Sequence, residues 1–130
     1  MRRITAFHGF VALLLCIAAA APAAAQKYPD KQIRLVVAFP TGAPQVLALL
    51  LSDKLRDPLG QSVVPDFKGG AGGNIASELV AKAPNDGYTL LLTSGTIAIS
   101  PSIFSKPGYD TFRDFAPITL LASVPNVMVV

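Results

Sequence analysis

The apolar positions of the chain fall into blocks of two kinds, and the spacing within each block predicts the element. Ile33-Arg34-Leu35-Val36-Val37-Ala38-Phe39 is an almost unbroken, β-branched run bounded by Pro40 and Gly42, which predicts a mostly buried strand. Directly after it Leu47, Leu50, Leu51 and Leu55 recur at i, i+3, i+4 and i+8, one apolar face of a helix. Pro44 suits the first position of that helix, where a missing N–H costs nothing, and Pro58 and Gly60 end the pattern. Ser62 to Phe67 predicts a second strand and Gly69-Gly70-Ala71-Gly72-Gly73 a loop. Asn74 is placed to cap a second helix with apolar positions at Ile75, Leu79 and Val80, ending before Pro84. The turn Asn85-Asp86-Gly87 leads into a third strand, Tyr88 to Leu92, followed by the polar loop Thr93-Ser94-Gly95-Thr96 and a short helical or irregular segment, Ile97 to Phe104. Phe115 to Ala122 and Asn126 to Val130 predict two further strands.

The order is β-α-β-α-β, with connections too long for hairpins. Such an order predicts parallel strands joined by right-handed crossovers, hence an α/β fold with helices on the faces of a mostly parallel sheet. Ligands of such sheets bind beyond the carboxyl ends of the strands, where helix N-termini gather. Three loops fall on that edge: Pro40 to Pro44, Lys68 to Asn74 and Thr93 to Thr96.

The chemistry these loops offer is that of the backbone. Each frees N–H groups at or near a helix start, where the helix dipole favours an anion. Glycine lets the chain approach a ligand closely and fold into anion-holding concavities. The candidate ligand-binding residues are therefore Phe39, Pro40, Thr41, Gly42 and Ala43 in the first loop and Gly70, Ala71, Gly72, Gly73 and Asn74 in the second. The third loop adds Thr93, Ser94, Gly95 and Thr96, with hydroxyl donors at Ser94 and Thr96. For any one loop the plain alternative is a tight turn with a polar helix cap; three on one edge favour a site. Nucleotide motifs are excluded. No Gly-Lys-Ser/Thr follows the glycine loop, and Gly70-Ala71-Gly72 runs on into Gly73-Asn74-Ile75, without the third glycine of a dinucleotide fingerprint. Asp53, Asp57, Asp66, Glu78 and Asp86 are scattered, with no catalytic pair.

Composition narrows the chemistry further once the first residues are set aside. Arg2-Arg3, the apolar stretch Phe10 to Ala21 and Ala23-Ala24-Ala25 have the order of an export signal, predicting residues 1–25 as a cleaved leader and periplasmic localisation. The apolar stretch is short for a membrane anchor. The one Cys and one His of the chain, Cys16 and His8, lie in that leader. Residues 26–130 thus hold neither, which excludes disulfides and Ser-His or Cys-His catalysis within them and argues against a zinc site; no metal and no cofactor is expected. Setting aside Arg2 and Arg3 from 11 Lys and Arg leaves nine against eight acids, so the net charge falls from +3 to +1. No basic patch for nucleic acid remains.

The stretches YPDKQIRLVVAFPTGA, GGAGGNIASELVAKAPNDGYTLLLTSGT and DFAPITLLASVPNVMVV resemble the Bug family, the TctC-like periplasmic substrate-binding proteins of tripartite tricarboxylate transporters. The resemblance covers nearly all of Tyr28 to Val130 in the family's order. It implies a periplasmic binding protein fold of type II character, with residues 26–130 as the N-terminal part of the first of two lobes, the chain being truncated and its second lobe absent. It also implies a non-enzymatic role: capture of a small carboxylate (a di- or tricarboxylate or related acid), largely by backbone donors and bridging waters, and delivery to the membrane permease subunits of the transporter. The alternatives are a truncated product that cannot bind ligand alone and, further off, a secreted hydrolase. Several positions depart from the family's pattern. Thr41 stands for a proline, Ala43 for a glycine and Val46 for an aspartate in the first loop and the helix after it. Phe67 stands for an asparagine, Gly69 for a proline, and Ile97 for a residue that is often histidine.

Overall fold

The computed structural model describes residues 27–124. The expected leader and the expected strand at 126–130 lie outside the described residues.

Strand β1 (Ile33–Val37) is the centre of a parallel sheet of order β2-β1-β3, with β2 at Val63–Phe67 and β3 at Thr89–Leu92. The first crossover is helix α1 (Ala43–Leu59), and the second a single 3-10 turn (Ala71–Gly73) followed by helix α2 (Asn74–Ala81). Helix α3 (Thr96–Ile103) follows β3. The two crossovers reach β2 and β3 on opposite sides of β1, which puts α1 and α2 on opposite faces of the sheet. The alternation of β1 serves both. Ile33, Leu35 and Val37 pack with Ala48, Val63 and Leu92 under α1, whereas Val36 and Ala38 pack with Ala76 under α2. This two-sided burial is why β1 reads as a continuous apolar run rather than an alternating one. Burial of Val36 and Val37, both at 0 % exposure, is worth about 1.5–3 kcal/mol each.

Helix α1 buries the face its leucines predict except at Leu50. Leu47, Leu51, Leu55 and Leu59 form one i+4 ridge against the sheet around fully buried Ala48, and Leu50 is 53 % exposed. A small residue at the point of closest approach lets the helix backbone sit near the strands. The helix runs through Pro58, on its exposed side, and Gly60 closes it in the left-handed region at φ 64°. Helix α2 likewise buries Ala76 and Ser77 and exposes half of Ile75, so Ile75 is not on the buried face. Ser77 Oγ donates back to Gly73 O at 3.0 Å.

The expected strand at Phe115 to Ala122 is absent: residues 115–124 have no regular secondary structure. Ile118 is 77 % and Leu120 82 % exposed. A β-rich pattern becomes a strand only with a ladder partner, and no described strand lies beside this segment.

Candidate functional site

The register fixes where the loops meet. Val37 is opposite Phe67 on one side and Leu92 on the other, so the three strands end level. Lys68 N–H donates to Val37 O at 2.9 Å and Ala38 N–H to Leu92 O at 2.9 Å, carrying the ladder to the mouth of all three loops. The loops expected on one edge are on one edge.

Each loop ends in a helix whose N-cap is a glycine: Gly42 for α1, Gly73 for α2 and Gly95 for α3. None of these caps gives a side-chain hydrogen bond, and none of the helices has an acidic residue in its first turn. An ordinary helix start satisfies its free N–H groups with a Ser, Thr, Asp or Asn cap. Here three starts point toward the same edge. That of α1 has no such cap, so its first-turn donors and the positive end of its dipole face the edge, whereas the 3-10 turn takes the Gly73 and Asn74 N–H groups before α2 and Ser94 takes the Thr96 and Ile97 N–H groups of α3. The expected cap Asn74 is instead buried, 7 % exposed, and its Oδ1 accepts a bond from Tyr109 Oη at 2.8 Å. Asn74 is the first residue of α2, so its side chain projects into a packed tether rather than back over the helix start.

The glycine loop is shaped for close approach. Residues Gly70 to Gly73 have consecutive positive φ values of 126°, 48°, 64° and 93°, with Ala71 the non-glycine among them. At Gly73 a Cβ would lie 3.3 Å from both Ala38 Cβ and Phe39 Cζ, so this loop is packed onto the first one.

Phe39, Pro40, Thr41, Gly42, Ala43 and Pro44 line an open concavity of about 370 Å³, joined across its mouth by Ser94. The structure thus brings the whole first loop and one residue of the third into a common surface. Gly70 to Asn74 share the edge without lining that concavity. Ser94 Oγ lies 3.0 Å from Thr96 Oγ1 and accepts a long bond, 3.4 Å, from Thr96 N–H. Thr93 Oγ1 is buried with no hydrogen-bond partner among the described residues. No charged side chain lines the concavity. The cation of the second loop, Lys68, is bound to Asp66 at 3.2 Å, and Asp66 is also paired with Arg34. The Arg34 guanidinium beside Asp66, with Lys68 on its other oxygen, holds that carboxyl below its usual range.

Tyr109 is the residue that sequence patterning missed. Its ring meets Phe115 edge-on at 5.6 Å while its hydroxyl holds Asn74, and two residues on Thr111 Oγ1 donates to Ile97 O at 2.9 Å. One segment thereby ties down the first turns of both α2 and α3. An isolated aromatic in a Pro/Gly-rich stretch has no periodicity to announce this.

At the other edge of the sheet a second concavity of about 360 Å³ is lined by Lys27, Tyr28, Asp30, Lys31, Asp86 and Tyr88. Its polar groups are spent on one another. Tyr88 Oη donates to Asp30 at 2.6 Å, Tyr28 Oη to Gly87 O at 2.8 Å, and Lys31 sits 4.2 Å over the Tyr88 ring. The Asp30 carboxylate raises the Tyr88 phenol above its ordinary pKa. This cluster fastens the residues before β1 to the turn before β3. Among the described residues no three His, Cys, Asp or Glu side chains gather as a metal site, and no helix is long and apolar enough to cross a membrane.

A parallel α/β lobe whose strand-end loops and helix starts share one edge, with the first loop forming an uncharged concavity there, is the form of a periplasmic binding protein lobe. The chain belongs to the tripartite tricarboxylate transporter receptor family: the TctC model, described as the tripartite tricarboxylate transporter family receptor, matches residues 47–130. A UPF0065 protein encoded in the tcbD-tcbE intergenic region of Pseudomonas sp. strain P51 is 41% identical over 104 residues, 79% of this chain and 31% of that protein. Protein BugT of Bordetella pertussis is 40% identical over 113 residues, 85% of this chain and 35% of that one. Among solved structures, the periplasmic binding protein BugD superposes with a TM-score of 0.66 at 40% identity, covering 70% of this chain and 31% of BugD. MatC from Rhodopseudomonas palustris with bound malate gives 0.66 at 34% identity, covering 72% and 33%. An R. palustris protein with adipate gives 0.52 at 42% identity, covering 54% and 24%. The chain spans about a third of the length of these relatives. The family is one of periplasmic binding proteins, a class without catalytic activity, and its solved members include carboxylate complexes.

Proposed function

We propose that this chain forms a carboxylate-holding lobe of a periplasmic solute receptor, exported with cleavage near Ala25, which captures a small organic acid and passes it to the membrane permease subunits of a tripartite tricarboxylate transporter. It performs no chemistry on the ligand. The observation that carries the reading is the convergence of three helix starts, at Gly42, Gly73 and Gly95, none with an acidic first turn, and the absence of a side-chain cap on α1, whose start lines the concavity. Such a surface favours an anion held by N–H groups, and the solved relatives with malate and with adipate hold carboxylates. Lys68 is already committed to Asp66, so the binding rests on backbone shape rather than on a charge pair.

The test is a 15N NMR titration of the chain with adipate and malate at millimolar concentration, where weak binding is visible. Amides at 42, 43, 45 and 46, at 72–75 and at 95–97 should shift in a saturable way. Gly72→Val, which forces a branched side chain onto a φ of 64°, should weaken this response far more than Lys68→Ala. The reverse order, or shifts confined to the Tyr28–Tyr88 edge, would refute the reading.

A further inference from the structure

The lining of the concavity bears on which carboxylate it takes. Resting on the binding role above, we propose that this lobe selects a carboxylate whose neighbouring carbons form an unsubstituted hydrocarbon chain or ring, over acids carrying an amine, a hydroxyl or a second carboxylate close to the first. Phe39, Pro40, Ala43 and Pro44 present carbon, and the only polar side chains are the hydroxyls of Thr41 and Ser94. Ser94 is occupied by Thr96 at 3.0 Å. A hydroxyl or second carboxylate near the first would thus leave water for a surface with few groups to receive it, which is costly for a neutral polar group and more so for a charge. An amine fares no better. Asp66 already serves Arg34 and Lys68, and Asp53 is ten residues along α1 from Ala43, about 15 Å at the helical rise.

The outer face of α1 continues the same surface. Val46 and Leu50 follow Ala43 at i+3 and i+7 and are 56 % and 53 % exposed, so a hydrocarbon leaving the concavity along the helix meets carbon again. A carboxylate at the helix starts with an alkyl chain running past Ala43 toward Val46 satisfies both features: anion at the donors, methylenes on the apolar strip.

The experiment is an NMR titration of the 15N- and methyl-labelled chain with hexanoate, adipate, 6-aminohexanoate, malate and citrate. Hexanoate and adipate should half-saturate the amides of Gly42, Ala43, Gln45 and Val46 at concentrations about tenfold lower than malate or citrate, the order expected from partial burial of a few methylenes. Their binding should also shift the methyls of Ala43, Val46 and Leu50. 6-Aminohexanoate carries its amine as far from the carboxylate as adipate carries its second one, so it should bind as adipate does, and binding no tighter than malate would also overturn the proposed selectivity. If malate or citrate matches or exceeds hexanoate at the same amides, the proposed selectivity is overturned and the carboxylate-binding role stands. If none of the acids shifts the loop amides, the role itself falls, and this inference with it.

Discussion

Replacing Tyr109 by Phe removes one oxygen and nothing else, which makes it the sharpest probe of how the glycine loop is held. The lost atom donates the bond to Asn74 Oδ1 at 2.8 Å, and Asn74 is 7 % exposed. Water cannot readily replace the donor, so the acceptor is left unsatisfied at a cost of about 1–3 kcal/mol. The ring remains and keeps its edge-on contact with Phe115 at 5.6 Å, so packing is not the source of the loss. Tyr109→Ala forfeits both, at about 3–5 kcal/mol. Urea unfolding followed by far-ultraviolet circular dichroism measures these differences; for a domain of this size each kcal/mol corresponds to a shift of about 4–8 °C in Tm. Asn74→Ala completes a double-mutant cycle. Because removing both partners leaves no orphan, the double variant should be less destabilised than the two single changes together, with a coupling of about 1 kcal/mol or more. A Tyr109→Phe protein within about 0.3 kcal/mol of the parent, with additive behaviour in the cycle, would refute the tether, since contacts that matter couple more strongly than this.

Three other outcomes are expected. Asp66 has its folded pKa below the 3.8 of a free carboxyl, chiefly through Arg34, so the stability it contributes is present above that value and is lost as pH falls through and below it. Asp66→Asn should flatten the acid limb of a stability-versus-pH curve; an unchanged limb would mean the ion pairs do not persist in solution. Gly73→Ala should destabilise by about 1–3 kcal/mol, since it combines a φ of 93° with a Cβ 3.3 Å from Ala38 and Phe39. Gly72→Ala, strained at φ 64° but facing open space, should cost less, about 1 kcal/mol, and equal costs in thermal unfolding would remove the packing part of the argument. Mass spectrometry of the periplasmic fraction should find a mature N-terminus at or near Gln26, and recovery of Met1 in a membrane-embedded form would oppose export with cleavage.

The strands and their parallel order were legible because a sheet buried on both faces writes itself as apolar runs, and Pro40, Gly42 and Gly60 mark where those runs and the first helix stop. The helix faces were only half legible. Counting leucines on α1 finds Leu47, Leu51 and Leu55 but adds the exposed Leu50 and passes over Ala48, the small residue that permits close approach to the sheet. The same substitution of size for hydrophobicity displaces Ile75 in favour of Ala76 on α2. Phe115 to Ala122 has the composition of a strand, but composition does not supply a neighbour, and the segment stays outside the sheet. In that region tertiary bonds decide: Tyr109 and Thr111 reach 35 and 14 residues back along the chain, a range no local pattern encodes.

The candidate site was legible in its position and misread in one of its parts for a related reason. Parallel topology alone dictates that the loops after β1, β2 and β3 share an edge, so three punctuated loops imply a shared surface before any side chain is considered. Asn74, by contrast, has the residue type of a cap and the location of a cap, and is not one. Its side chain is spent on Tyr109, and the cap position is taken by Gly73 at a φ of 93°. Had Asn74 or any Ser, Thr or Asp capped α2, its oxygen would occupy the very N–H groups an anion needs. A receptor that binds through backbone must therefore withhold the residues that make helices stable at their ends, and the stability lost there has to be recovered from bonds such as Tyr109 to Asn74 that grip the helix from the side. On this view the glycines at the starts of α1 and α2 are a single feature: both sit at positive φ, 75° and 93°, where a capping side chain is strained, and Gly42→Ser should destabilise through that strain and weaken the acid by setting an oxygen over the N–H groups it needs.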